Sequence, residues 1–152
     1  MNKAIIINEK WTKWIPIEEL ANKYYISEVC SNIESGFKIK LLENDNSQQG
    51  LIITFPESVW CYRSTDEGIM QDTITILGAL YSKDFYSKWT FFKIESSNYL
   101  KWIAEESGGL YERWGLQHFC IITDNEILDI IATYEPDVVK TGPSQITVNL
   151  CN

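Results

Sequence analysis

The chain carries a single histidine, His118, which excludes any metal site built from several imidazoles and leaves one conventional acid–base switch. As a general base it would pair with Glu112 or Asp124; as a structural residue it would sit hydrogen-bonded on a strand. Cys120 stands two residues further on. Alternate residues of a strand share a face, so a Cys–His pair is geometrically available for nucleophilic chemistry, although no flanking motif accompanies it. The densest polar cluster is Tyr62-Arg63-Ser64-Thr65-Asp66-Glu67-Gly68, at a strand-to-helix junction where loops commonly carry sites. Arg63 with Asp66 and Glu67 suits a polar ligand or a partner's charged side chain, in a cleft that His118 would join. The same residues also suit a local role, with Arg63 bridging its neighbouring acids while Thr65 or Asp66 caps the next helix. The paired glycines Gly108-Gly109 follow a helix and carry no lysine, so no phosphate loop is present. The expectation is a chain without catalytic residues, metal ligands or cofactor.

The elements that must position these residues are legible from pattern. A strand is expected over Lys3 to Asn8, then a short helix opened by Pro16 over Ile17 to Asn22. Tyr24 to Ile33 and Phe37 to Leu42 read as a hairpin across Ser35-Gly36, because Phe37, Ile39 and Leu41 alternate with Lys38 and Lys40. After the polar loop 44–50 come strands at Leu51 to Phe55 and Ser58 to Arg63, which suggests a four-stranded antiparallel meander. Ile69 to Leu80 has helical spacing, and Trp89 to Ile94 returns to strand chemistry. Ser96 or Ser97 caps a helix with Tyr99, Leu100, Trp102, Ile103 and Ala104 on its apolar stripe, which Gly108-Gly109 ends in a left-handed cap. Leu116 to Thr123 is a buried strand. Glu126 to Ile131 is a strand if Asp124-Asn125 is a hairpin turn, or a helix if Thr123 and Glu126 form a capping box; its isoleucines favour the strand.

These elements make an α+β fold: a mainly antiparallel sheet of six to eight strands with two or three helices packed on it, in one domain of 152 residues. Hydrophobic residues form 45% of the chain and aromatics 13%, enough for a substantial core. The apolar run Ala4-Ile5-Ile6-Ile7 is too short for a membrane span or a signal-peptide core. A cytoplasmic protein is expected on that ground, with Cys30, Cys61, Cys120 and Cys151 as reduced thiols.

Charge is unevenly placed. Of the net −8, nearly all arises between Ala104 and Asp137, where Glu105, Glu106, Glu112, Asp124, Glu126, Asp129, Glu135 and Asp137 face a single base, Arg113. A field of that sign repels nucleic acid and anionic membrane and speeds encounter with a basic partner; the same acids also suit a solvated face. Inside this quarter, Leu110-Tyr111-Glu112-Arg113-Trp114-Gly115 places two aromatics and an arginine in a glycine-bounded loop, the residue types that dominate protein-binding hot spots.

The run Phe85 to Glu95, then Tyr99-Leu100-Lys101-Trp102, His118 to Thr123, Ile127-Leu128-Asp129 and Glu135-Pro136, with Tyr62-Arg63 and Asp66-Glu67-Gly68, resembles a group of small bacterial proteins associated with immunity to bacterial toxins. The resemblance implies a binding module that occludes a cognate toxin and no catalytic residue to carry over. On this reading Glu105, Glu106, Tyr111, Glu112, Arg113 and Trp114 meet a basic protein surface. A small-ligand site or enzyme around Arg63, Asp66, Glu67 and His118 is the alternative, and a homo-oligomer built through an exposed sheet edge is a third possibility.

Overall fold

The computed structural model describes residues 8–57, 59–146 and 148–151, and at Glu112 the backbone only. Its strands are β1 (Lys10–Lys13), β2 (Tyr24–Asn32), β3 (Gly36–Glu43), β4 (Gly50–Phe55), β5 (Cys61–Asp66), β6 (Phe91–Glu95), β7 (Gln117–Ile122), β8 (Glu126–Ala132) and β9 (Asp137–Thr141). Its helices are α1 (Gln71–Leu80), α2 (Lys83–Ser87), α3 (Asn98–Glu106) and α4 (Pro143–Ile146). The strands form two antiparallel sheets, one in the order β1-β6-β7-β8-β5 and the other β2-β3-β4-β9. The α+β class is as expected, with nine strands among the described residues where six to eight were anticipated, in two sheets where one was.

Side-chain alternation explains the layering. Phe91, Phe119, Ile121, Leu128 and Ile130 of the larger sheet pack with Tyr24, Phe37, Ile39, Leu41, Leu51, Ile53 and Phe55 of the smaller one in a continuous buried cluster. The opposite face of the larger sheet is covered by helices. Phe92, Ile94, Cys120, Ile122 and Ile127 meet Leu77 and Ile74 of α1, with Phe85 and Tyr86 of α2, and Ile131 meets Tyr99 and Ile103 of α3. Strands β7 and β8 are therefore buried on both faces, which is why they read as unbroken apolar runs.

Three local expectations hold in detail. Ser97 caps α3 by accepting from the Leu100 amide at 3.1 Å, and Gly108 and Gly109 close it at φ of 62° and 81°. Gly36 sits at φ 83°, where a Cβ would collide with the Phe55 carbonyl oxygen, so the turn into β3 needs glycine. Residues 126–132 are the strand β8. Thr123 Oγ1 does accept from Glu126 N at 2.9 Å, the bond a capping box would make, but it serves the hairpin turn instead.

Other expectations are corrected. Residues 17–22 form no helix: Glu19 stands at φ 58°, and Ile17, Leu20 and Ala21 pack individually against the core between the two sheets. A six-residue helix is too short to hold itself against such packing. The meander stops at β4, since β5 crosses to the larger sheet and pairs with β8, while β9 pairs with β4. Strand β1 and the short α2, β9 and α4 were not foreseen, and the strand expected over Lys3 to Asn8 lies outside the described residues apart from Asn8. Cys30 and Cys151 are joined in a disulfide, against the expectation of four reduced thiols; Cys61 and Cys120 are free. The bond anchors the C-terminal segment to the outer face of the smaller sheet. There Lys40 Nζ donates to the carbonyls of Ile146 and Val148, and Glu28, paired opposite Lys40, accepts from Leu150 N.

Candidate functional site

Where three adjacent strands of the larger sheet run under the start of α3, register assembles a polar network. Arg63 on β5 lies opposite Asp129 on β8, which lies opposite Cys120 on β7, and His118 is the diagonal neighbour of Asp129 on the same face. Asp129 Oδ1 stands 2.6 Å from His118 Nε2, Asp129 Oδ2 accepts from Arg63 Nε at 2.9 Å, and His118 Nδ1 is 2.7 Å from Ser97 Oγ. Ser97, His118 and Asp129 are all buried, whereas the Arg63 side chain is 46% exposed. The Arg63 guanidinium lies over the Tyr99 ring at 4.3 Å, and that ring meets the His118 imidazole edge-on.

Burial opposes ionisation of Asp129, but hydrogen bonding and charge from His118, then Arg63, outweigh it and hold the carboxyl below its usual range. An ionised carboxylate only accepts, so Nε2 carries the proton it donates to Asp129. When the imidazole is neutral, Nδ1 accepts from the Ser97 hydroxyl; when it is protonated, Nδ1 donates to Ser97 Oγ, which in either case accepts from Leu100 N. The order serine–histidine–aspartate matches a nucleophilic triad, but here the serine is enclosed and committed to its helix cap. The thiol of Cys120 is raised well above its usual value by burial, with a further push from the Asp129 carboxylate; it faces the same side as His118 but stays protonated. Burial likewise raises Cys61 and Tyr99.

The structure divides the four residues expected to share a cleft. Arg63 and His118 meet through Asp129, the partner that sequence reasoning missed in favour of Glu112 or Asp124. Asp124 instead accepts from Asn44 Nδ2 at 3.0 Å, and the Glu112 side chain lies outside the described atoms. Asp66 accepts from Gly68 N at 2.8 Å and so caps the 3₁₀ turn Glu67–Ile69; the helix it was expected to cap, α1, starts after Met70 without a side-chain cap, and Arg63 pairs with Asp129 instead of its neighbouring acids. Glu67 lines a different cleft with Lys23 and Asp124. A signal for Asp129 did exist: it is the lone charge inside Ile127-Leu128-Asp129-Ile130-Ile131, and an acid in so apolar a strand must find a buried donor.

Outside α3 the surface is aromatic. Trp60, just before β5, packs with Tyr111 and Trp114 in a trio whose ring centroids are 4.8 to 4.9 Å apart. Trp60 and Trp114 nevertheless remain 43% and 48% exposed. Trp102, expected on the buried stripe of α3, lies at its margin and is 52% exposed. Glu105 and Glu106 follow it at helical spacings of three and four, on the same exposed face. Leu110 and Arg113 are exposed beside the trio. Of the residues expected to meet a partner, Tyr111 and Trp114 thus come together with Trp60, and Glu106 shares a pocket with Trp60, Trp102 and Tyr111. Trp60 and Trp102 were hidden from sequence reasoning because one fell in the strand expected over Ser58 to Arg63 and the other in the apolar stripe of α3.

Comparison with protein-family models, curated proteins and solved structures yields no significant match for this chain. No described helix is long and apolar enough to cross a membrane.

Proposed function

We propose that this chain is a protein-binding module that docks a partner with a basic surface through the aromatic face of α3 and the Tyr111–Trp114 loop. The observation that supports it is the mutual packing of Trp60, Tyr111 and Trp114 while two of the three stay about half exposed, Tyr111 and Trp114 belonging to the most acidic quarter of the chain. Large rings already ordered against one another lose little side-chain freedom on binding, and an exposed apolar patch of this kind marks an interaction surface. Glu105 and Glu106 steer a basic partner towards it. In the immunity-type reading that the sequence resemblance suggests, the partner is a toxin met in the cytoplasm.

The test is capture of a partner from native lysate, reconstituted from purified components, at low and high salt. Wild type is compared with a Glu105→Lys/Glu106→Lys variant and with Trp114→Ala. One partner that binds wild type at low salt and neither variant supports the module. A chain that stays monomeric and partnerless against every candidate toxin of its own genome refutes it.

A small-ligand reading has one observation in its favour. A cavity of about 60 Å³ beside Arg63, His118 and Asp129 is lined by Trp11 and Asn98, whose Nε1 and Oδ1 find no partner among the described residues. At about 30 Å³ per water molecule it has room for roughly two waters, or for a polar ligand of that size that would satisfy both groups.

A further inference from the structure

Between the end of α3 and the start of β5 lies a pocket of about 290 Å³ walled by Trp60, Trp102 and Tyr111 and floored by Ile103 and Leu116. Glu106 is the only charged side chain among the described residues that line it. Three aromatic side chains supply apolar contact and electron-rich rings, and one carboxylate adds a full negative charge, so the pocket selects against anions and favours a cation carrying an apolar stem. We infer that this pocket receives a single arginine side chain of the partner, its guanidinium against the indoles and paired with Glu106. This deepens the docking function proposed above and rests on it.

Arginine fits better than lysine for physical reasons. A guanidinium is planar, stacks on rings, sheds its hydration more readily than an ammonium, and offers the fork that a carboxylate accepts in two bonds. A neutral sugar could use the Tyr111 and Ser107 hydroxyls, the Cys61 thiol and the indole N–H groups of the lining, but it would leave the Glu106 charge without a counter-charge, which a guanidinium supplies. The partner's arginine would thus be the anchor, with Trp114, packed against Trp60 and Tyr111, as the contact surface beside it.

The experiment titrates ¹⁵N-labelled protein with acetyl-Gly-Arg-Gly-amide, and with its citrulline and lysine counterparts. The indole N–H resonances are followed, assigned with Trp60→Phe and Trp102→Phe variants. The arginine peptide should shift the Trp60 and Trp102 indoles saturably. Citrulline, which keeps the shape and loses the charge, should bind at least about tenfold more weakly, and Glu106→Gln should weaken arginine binding by about three- to tenfold. Citrulline or lysine binding as tightly as arginine, or arginine shifting neither indole at millimolar peptide, overturns the assignment. A partner captured through Trp114 while the arginine peptide is silent overturns the pocket alone. Arginine bound at Trp60 and Trp102 with no partner captured leaves the cation site standing and refutes the docking function.

Discussion

Replacing Asp129 by alanine should be the most costly single polar substitution in the helix-facing layer. The side chain is buried and accepts from two donors, His118 at 2.6 Å and Arg63 at 2.9 Å, and its removal leaves the imidazole enclosed without an acceptor. Truncating one member of a buried pair costs about 3–5 kcal/mol. Because Arg63 is 46% exposed and water can replace that contact, the lower end, about 3 kcal/mol, is expected. In a chain of this length that corresponds to a fall in Tm of roughly 6–12 °C.

The pH dependence separates a charge effect from simple loss of volume. The folded protein holds Asp129 below its ordinary 3.8, so it takes up this proton less readily than the unfolded chain does. Asp129 therefore contributes stability that is fully present above that ordinary value and is lost as pH falls through the lower folded value. Urea denaturation of wild type and Asp129→Ala from pH 7 down to pH 2.5 should show a gap that is widest near neutrality and narrows in acid. Asp129→Asn, close in shape but uncharged, should show the same narrowing. A neutral-pH loss under about 1 kcal/mol, or a gap independent of pH, would refute the argument that an ionised Asp129 organises this network.

Two further outcomes follow from other buried contacts. Reduction of the Cys30–Cys151 bond, or the double Cys30→Ser/Cys151→Ser change, opens a closure spanning 121 residues and should cost about 2–5 kcal/mol, with faster hydrogen exchange along residues 143–151; unchanged stability would show that Lys40 and Glu28 hold the segment alone. Lys23 Nζ donates to the carbonyls of Tyr86, Trp89 and Ile122 at 3.2, 3.2 and 2.9 Å, so Lys23→Ala should cost about 2 kcal/mol by chemical denaturation. Burial, partly offset by Asp124 and Glu67, lowers Lys23 from 10.5, so the folded state releases this proton first and wild type should gain on the variant as pH rises towards 10.5; a gap that shrinks over that range would contradict it.

The sequence by itself determined whatever depends on neighbours within a few residues. Alternation in Phe37, Ile39 and Leu41 marked β3, Ser97 and Gly108-Gly109 bounded α3, and Asp66 capped the turn that follows β5. Local chemistry also decided the Thr123 to Glu126 turn, although the same hydroxyl-to-amide bond serves a helix start, so only the isoleucines after it tipped the reading. Only the tertiary structure decided which strands pair, because an antiparallel partner is chosen by how whole faces bury and not by proximity in the chain. That choice took β5 out of the meander and set it beside β8. It thereby gave Asp129 to Arg63 and His118, and placed Trp60 over the loop carrying Tyr111 and Trp114. The irregular segment 14–23 and the Cys30–Cys151 bond have the same origin. Their positions are held by contacts scores of residues apart, and no local spacing records them.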